Sequence, residues 1–357
     1  MREICSALCG SETRAARARD LGRRALYSQK IGHEIKMATC ASIYTRRAFV
    51  TAASLASSLT PMQLSASAST STLQLPSIGL GTCCDDYDDS RQTILAGLAE
   101  GYRLIDTAAH YESEVAVGDA IVEARRRGII KDASAVTTVT KVWFDDMGFE
   151  PTLASAKRSM SNLQTEQLDV VLVHFPGTID SVQSPARNRK IRAETWRALE
   201  TLLADGRCRA IGVSNYSRRH LKETLASCSV APMLMQCELH PRLPQTDLVD
   251  YARSNGVETI MAHCPLAHGS PALLGHPTLL RLSQARGQGC TPAALCLRWS
   301  MDRGLVPIPK SSSQARLREN RAAASMPPLS AEERAAIDLL EASGPDARVS
   351  FDPALIA

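Results

Sequence analysis

The sequence predicts one α/β domain, a (β/α)8 TIM barrel preceded by a disordered N-terminal extension. Three observations predict it. From residue 75 onward, short β-rich runs alternate with helix-like runs eight times, the order that a parallel sheet with crossover helices requires. Several strand-like runs are apolar without a break, Val170-Val171-Leu172-Val173 among them, as in strands covered on both faces. A glycine stands just past five helical runs, at Gly101, Gly128, Gly206, Gly256 and Gly304, where a left-handed C-cap is wanted. The alternative arrangement of the same elements is a doubly wound sheet. A length of 357 residues suits either two average domains or one barrel, since barrels reach about 250 residues or more as a unit.

In chain order, strands are expected at 78–82, 103–107, 135–142, 168–175, 209–214, 234–239, 259–265 and 305–309. The helices expected between them are 91–100, 114–127, 153–163, 193–204, 218–227, 247–254, 292–302 and 315–324. A final amphipathic segment, 331–340, is expected to pack outside the barrel.

Residues 1–72 read differently. They are rich in Arg, Ala and Ser, and no acid occurs between Glu34 and Asp85, the composition of an organellar transit peptide. Inside this stretch, Thr45-Arg46-Arg47-Ala48-Phe49-Val50, a mildly apolar 51–59 and Ala66-Ser67-Ala68 resemble a twin-arginine signal with a small-residue cleavage site. The expectation is a targeting segment over 1–72, addressed to a plastid or mitochondrion, and a barrel over 73–357. A disordered tail on a cytoplasmic protein is the alternative.

The formal net charge of +4 also belongs to this segment. With its ten bases and four acids set aside, 31 basic side chains face 33 acidic ones. The body is near neutral, which gives no electrostatic case for nucleic acid. Eleven cysteines form neither a CxxC nor a Cys/His cluster at zinc spacing, so no metal is expected. The plain setting is reduced and intracellular, with most thiols acting as small hydrophobes. Cys83 and Cys84 are expected to pack, because adjacent thiols seldom form a relaxed disulfide. No apolar run of about 18 residues offers a membrane span.

In this fold, active sites gather at the C-terminal ends of the strands, so the polar residues there are the candidates. Asp106 closes the second expected strand, Tyr111 follows in the next loop, Lys141 ends the third strand, and His174 sits near the end of the fourth. Reducing a carbonyl requires hydride on carbon and a proton on oxygen. Tyrosine, with a pKa near 10, is a weak acid at neutral pH. An ammonium beside it stabilises the phenolate, and a carboxylate beside that ammonium keeps it charged and aimed. Tyr111, Lys141 and Asp106 thus make a coherent proton relay, with His174 placed to hydrogen-bond the carbonyl oxygen.

At these residues a family resemblance becomes specific. Gly101-Tyr102-Arg103-Leu104-Ile105-Asp106-Thr107-Ala108, with Tyr111-Glu112-Ser113-Glu114 and Val117-Gly118, closely resembles the first signature of the aldo-keto reductases. The match continues in order through Thr140-Lys141-Val142-Trp143, Val173-His174-Phe175-Pro176, Ile211-Gly212-Val213-Ser214-Asn215-Tyr216, Gln236-Cys237-Glu238-Leu239-His240-Pro241 and Ile308-Pro309-Lys310-Ser311. It covers residues 75–353 and is nearest to the compact, short-loop members of bacteria and plants.

The resemblance implies NADPH/NADP+ extended across the barrel mouth; no GxGxxG follows a strand here, so a Rossmann turn has no motif behind it. It places Ser214, Asn215 and Gln236 on the nicotinamide carboxamide. Lys310, Ser311 and Arg316 fall on the 2′-phosphate, and Glu319 and Asn320 near the adenine. His263 stands where the family stacks a Tyr on the nicotinamide, and Thr82, Cys264 and Leu266 complete the cofactor set. Cys83 stands where many members carry a Trp, and lines the substrate pocket with Trp143, His174 and Phe175. Ser113 and Met235 each replace a usual Asn.

The expected activity is reversible NADPH-dependent reduction of small aldehydes and ketones by a monomer. An NADPH-binding sensor or regulatory subunit with weak catalysis is the alternative on the same barrel.

Overall fold

The computed structural model describes residues 73–83, 85–178, 184–342 and 347–357. The targeting segment expected over 1–72 and the residue Cys84 lie outside the described residues. Eight parallel strands follow one another in sequence order: β1 (Leu80–Gly81), β2 (Leu104–Asp106), β3 (Thr137–Val142), β4 (Leu168–Val173), β5 (Cys208–Ser214), β6 (Leu234–Glu238), β7 (Thr259–His263) and β8 (Leu305–Pro307). Gly79 N–H donates to Pro307 O at 3.0 Å and Gly81 N–H to Pro309 O at 3.1 Å, which brings the last strand against the first. A doubly wound sheet would reverse its strand order at a switch point. The order seen here matches the (β/α)8 fold instead.

The crossover helices are α1 (Tyr87–Ala99), α2 (Glu114–Arg126), α3 (Phe149–Asn162), α4 (Pro185–Ala204), α5 (Arg218–Leu225) and α6 (Thr246–Ser254). After β7 come α7 (Pro271–Leu274), α8 (Pro277–Arg286) and α9 (Pro292–Asp302), and after β8 come α10 (Gln314–Ala322) and α11 (Ala331–Asp338). The sequence reading lacks α7 and α8. Each opens on a proline behind a capping side chain, Ser270 accepting from Ala272 N and His276 from Thr278 N, a start signal that short helices share with turns. All five glycines read as helix stops have positive φ, from 67° to 92°.

Most strands end earlier than the sequence suggests. His174 and Phe175 lie beyond β4, and Cys264 turns the chain after β7 with φ 49°. The apolar pattern runs on through these residues, but their backbones leave the ladder to form the loops of the site.

Strand alternation divides the core. Val170 and Leu172 join Leu104, Val139, Ala210, Leu234, Met261 and Ile308 in a cluster with no helix residue, the barrel interior. Val171 and Val173 belong to the larger cluster that the helices share, with Leu199, Trp196 and Leu221 among its members. Gly212 faces the interior at close quarters, where a Cβ would sit 2.4 Å from Leu234 O and 2.7 Å from Leu172 Cδ2.

The C-terminal tail is fastened at two places. Glu238, fully buried, accepts from Val349 N at 2.7 Å, from Ser350 N at 3.0 Å, and from the Ser350 hydroxyl. Further along, His220 Nε2 lies 2.9 Å from Ile356 O, while its Nδ1 accepts from Ser217 N at 3.2 Å. Burial holds the His220 imidazole down at about 4, so the ring is neutral in the fold at neutral pH.

An unfolded histidine takes its proton near 6.5. Stability contributed by the neutral ring is therefore present above pH 6.5 and is lost as pH falls toward 4, at about 1.4 kcal/mol per pH unit. Urea midpoints measured across this window should fall with acidity, and more gently for His220→Gln. An equal slope in the variant would rule out His220 as a source.

Candidate active site

Four elements deliver the catalytic candidates to one end of the barrel. Asp106 is the last residue of β2, Lys141 is next to last in β3, and His174 follows β4. Tyr111 ends a 3-10 turn, Ala109–Tyr111, which Glu112 closes in a left-handed conformation with φ 57°. Lys141 Nζ donates to Asp106 Oδ2 at 2.7 Å, to Thr107 O at 2.9 Å and to the Tyr111 hydroxyl at 3.4 Å. The Tyr111 hydroxyl lies 3.4 Å from His174 Nε2. All four expected residues meet.

The electrostatics follow from depth. The Lys141 side chain is 0% exposed; burial pushes its pKa below the ordinary lysine range, and Asp106 opposes that shift. Burial also holds His174 well below the usual imidazole range, with the positive charge of Lys141 acting in the same direction. His174 is thus neutral, and its Nδ1 is buried without a hydrogen-bond partner.

Around this centre lie contacts that the motifs alone do not show. Gln236 Nε2 donates to the second oxygen of Asp106 at 2.6 Å, so this amide holds the carboxylate from the side opposite Lys141. Thr82 Oγ1 donates to Asp106 O at 3.0 Å and lies 2.9 Å from Ser113 Oγ, which in turn is 2.9 Å from Thr107 Oγ1. Ser113 therefore ties the Tyr111 loop to β1 and β2. Buried Glu114 accepts from Thr140 Oγ1 at 2.6 Å and from Asn162 Nδ2 at 3.0 Å. Gly118, one turn on, lets α2 approach closely; a Cβ there would meet Asn162 O at 2.7 Å.

An aromatic wall flanks the relay. Trp143 stacks on His110 with ring centroids 3.7 Å apart and planes within 2°. Trp143 lies edge-on to Phe175 at 5.9 Å, and Phe351 from the tail approaches Phe175 at 6.0 Å. Cys83 was expected as a free packing thiol. It is instead disulfide-bonded. Cys208, Cys228, Cys237, Cys290 and Cys296 are free thiols.

The expected cofactor residues fall into two groups. Ser214 ends β5, Asn215 follows it and Gln236 lies in the middle of β6, all three buried. Asn215, with φ 58°, donates through Nδ2 to His174 O at 3.0 Å and accepts from His263 Nε2 at 3.0 Å. His263 Nδ1 is 3.3 Å from Cys264 Sγ, and Leu266 is half-buried beside this turn. Burial lowers the His263 pKa to about 4. The second group follows β8. Lys310 pairs with Asp85 at 2.6 Å, Ser311 and Asn320 are buried, Arg316 is exposed, and Glu319 accepts from Thr291 Oγ1 at 2.6 Å. No group of His, Cys, Asp or Glu able to hold a metal is present among the described residues, and no described helix is long and apolar enough to cross a membrane.

This geometry has close relatives. The chain matches the Aldo/keto reductase family over residues 77–273 and 278–342. It is 37% identical over 249 residues to a glyoxal reductase of Bacillus subtilis, covering 70% of this chain and 83% of that protein. An aldo-keto reductase from a Medee basin deep-sea metagenome library superposes with a TM-score of 0.69 at 31% identity, over 75% of this chain and 92% of that one. A Bombyx mori aldo-keto reductase in complex with NADP gives a TM-score of 0.67 at 29% identity, over 75% and 89%. Fold, motif order and kinship agree: the chain belongs to the aldo/keto reductase family, oxidoreductases acting on carbonyl groups.

Proposed function

We propose that this protein reduces small aldehydes and ketones with NADPH, the proton coming from Tyr111. The observation that carries the reading is the Lys141 ammonium, wholly buried and shared between Asp106 at 2.7 Å and the Tyr111 hydroxyl at 3.4 Å. A cation so placed favours the phenolate left when the hydroxyl gives up its proton. Neutral His174, 3.4 Å from the same hydroxyl, orients a carbonyl oxygen between the two rings.

The donor set fits the dinucleotide. Amides at Asn215 and Gln236, beside the relay, suit a carboxamide, and the cations Lys310 and Arg316 with the Ser311 hydroxyl suit a phosphate. Bound NADPH would supply the hydride. The residues of this chain supply the rest: Asn215 and Gln236 orient the ring, Trp143 and Phe175 exclude water, and Lys141 holds the charge.

The aromatic wall of Trp143, Phe175 and Phe351 favours small, unhindered carbonyls. The likeness to a protein named glyoxal reductase points toward short aldehydes, including those with a second oxygen beside the carbonyl. The test is a screen of NADPH consumption against short aldehydes, α-oxo aldehydes and bulky ketones, with the alcohol product quantified. Turnover concentrated on the short aldehydes is expected. Tight NADPH binding without turnover on any of them would overturn the reading in favour of a binding protein.

A further inference from the structure

Asp85 belongs to no motif, yet it holds the cation on which cofactor choice turns. β1 and β8 run very close at this edge. Gly81 N–H donates to Pro309 O at 3.1 Å, and a Cβ on Gly81 would sit 3.2 Å from Ile308 O and 3.6 Å from Lys310 Cβ. That approach lays the loop after β1 against the start of the loop after β8, and Asp85 Oδ1 meets Lys310 Nζ at 2.6 Å. The Asp85 side chain is 13% exposed and that of Lys310 is 35% exposed, so the carboxylate is the more covered partner while the ammonium stays open to solvent and ligand.

We propose that Asp85 is a specificity-determining residue that narrows the preference for NADPH over NADH. The inference rests on the cofactor reading given above. A phosphomonoester carries roughly two negative charges near neutral pH. Lys310 and Arg316 are the cations set to receive it, and Asp85 neutralises one of them. Asp86, Asp88 and Asp89 follow at the head of α1, and Glu319 lies one turn beyond Arg316 on α10, so carboxylates flank both cations. A carboxylate repels a phosphate but accepts a hydrogen bond from a ribose hydroxyl, which is how acidic residues select NAD in other dinucleotide sites. Asp85 therefore weakens the one contact that NADPH makes and NADH lacks, and offers NADH an acceptor in its place.

The experiment is a fluorescence titration of the full chain with NADPH and with NADH, for the wild type, Asp85→Asn and Lys310→Met. The wild type should bind the two within about tenfold of each other. Asp85→Asn, which keeps shape and removes charge, should tighten NADPH by about tenfold while leaving NADH unchanged or weaker. That gain should shrink in high salt. Lys310→Met should weaken NADPH alone. A ratio of the two affinities that Asp85→Asn leaves within about twofold of the wild-type value overturns the proposal. Failure of the wild type to bind either dinucleotide would instead count against the cofactor reading itself.

Discussion

Tyr111→Phe is expected to lower kcat by about three orders of magnitude, within the 10²–10⁴-fold range of positioned proton transfer, while NADPH affinity stays within about twofold. The variant removes one oxygen and nothing else. The ring that Lys141 Nζ faces at 4.8 Å from its centroid remains, as does its edge contact with His174 at 5.4 Å. The neighbours offer no substitute acid. Burial and the Lys141 charge keep His174 neutral, and Lys141 is sealed at 0% exposure behind the hydroxyl it serves. Steady-state kinetics paired with an NADPH titration separates lost chemistry from lost binding. Less than about a tenfold fall in kcat would move the proton donor elsewhere.

Lys141→Met should damage both activity and folding. Asp106 loses its ammonium at 2.7 Å and keeps only the Gln236 amide on its other oxygen. A buried carboxylate stripped of its partner costs about 3–5 kcal/mol, which a urea titration would register as an early midpoint. Adding Asp106→Asn removes the stranded charge, so the double variant should regain most of the stability. It should not regain turnover, because nothing then favours the phenolate at Tyr111. The two changes couple through contact, so their effects are expected to be non-additive. A Lys141→Met protein as stable and active as the parent would dissolve the relay.

The barrel was legible because its signals are local and repeated. Unbroken apolar runs and stop glycines each need only a few neighbouring residues to be recognised, and all five glycines adopt the left-handed backbone expected of them. The four catalytic candidates were legible for a related reason: each occupies a strand end, and the fold alone brings strand ends together. What escaped the sequence was pairing over distance. Asp85 and Lys310 stand 225 positions apart, Gln236 and Asp106 stand 130 apart, and Glu238 reaches Val349 over 111. No period or spacing encodes such contacts; they exist only once β8 meets β1 and the tail folds back. The stack of His110 on Trp143 is hidden in the same way, since neither residue is unusual on its own. At Cys83 the sequence favoured packing, and the residue is disulfide-bonded.

The fastening of the tail bears on how the site is walled. Phe351 stands against Phe175 only because Glu238 grips Val349 and Ser350, and because Ala357 O accepts from Arg192 Nη1 at 3.2 Å. The aromatic wall is therefore completed by a segment that takes no part in the relay, so its width and the proton chemistry can vary independently.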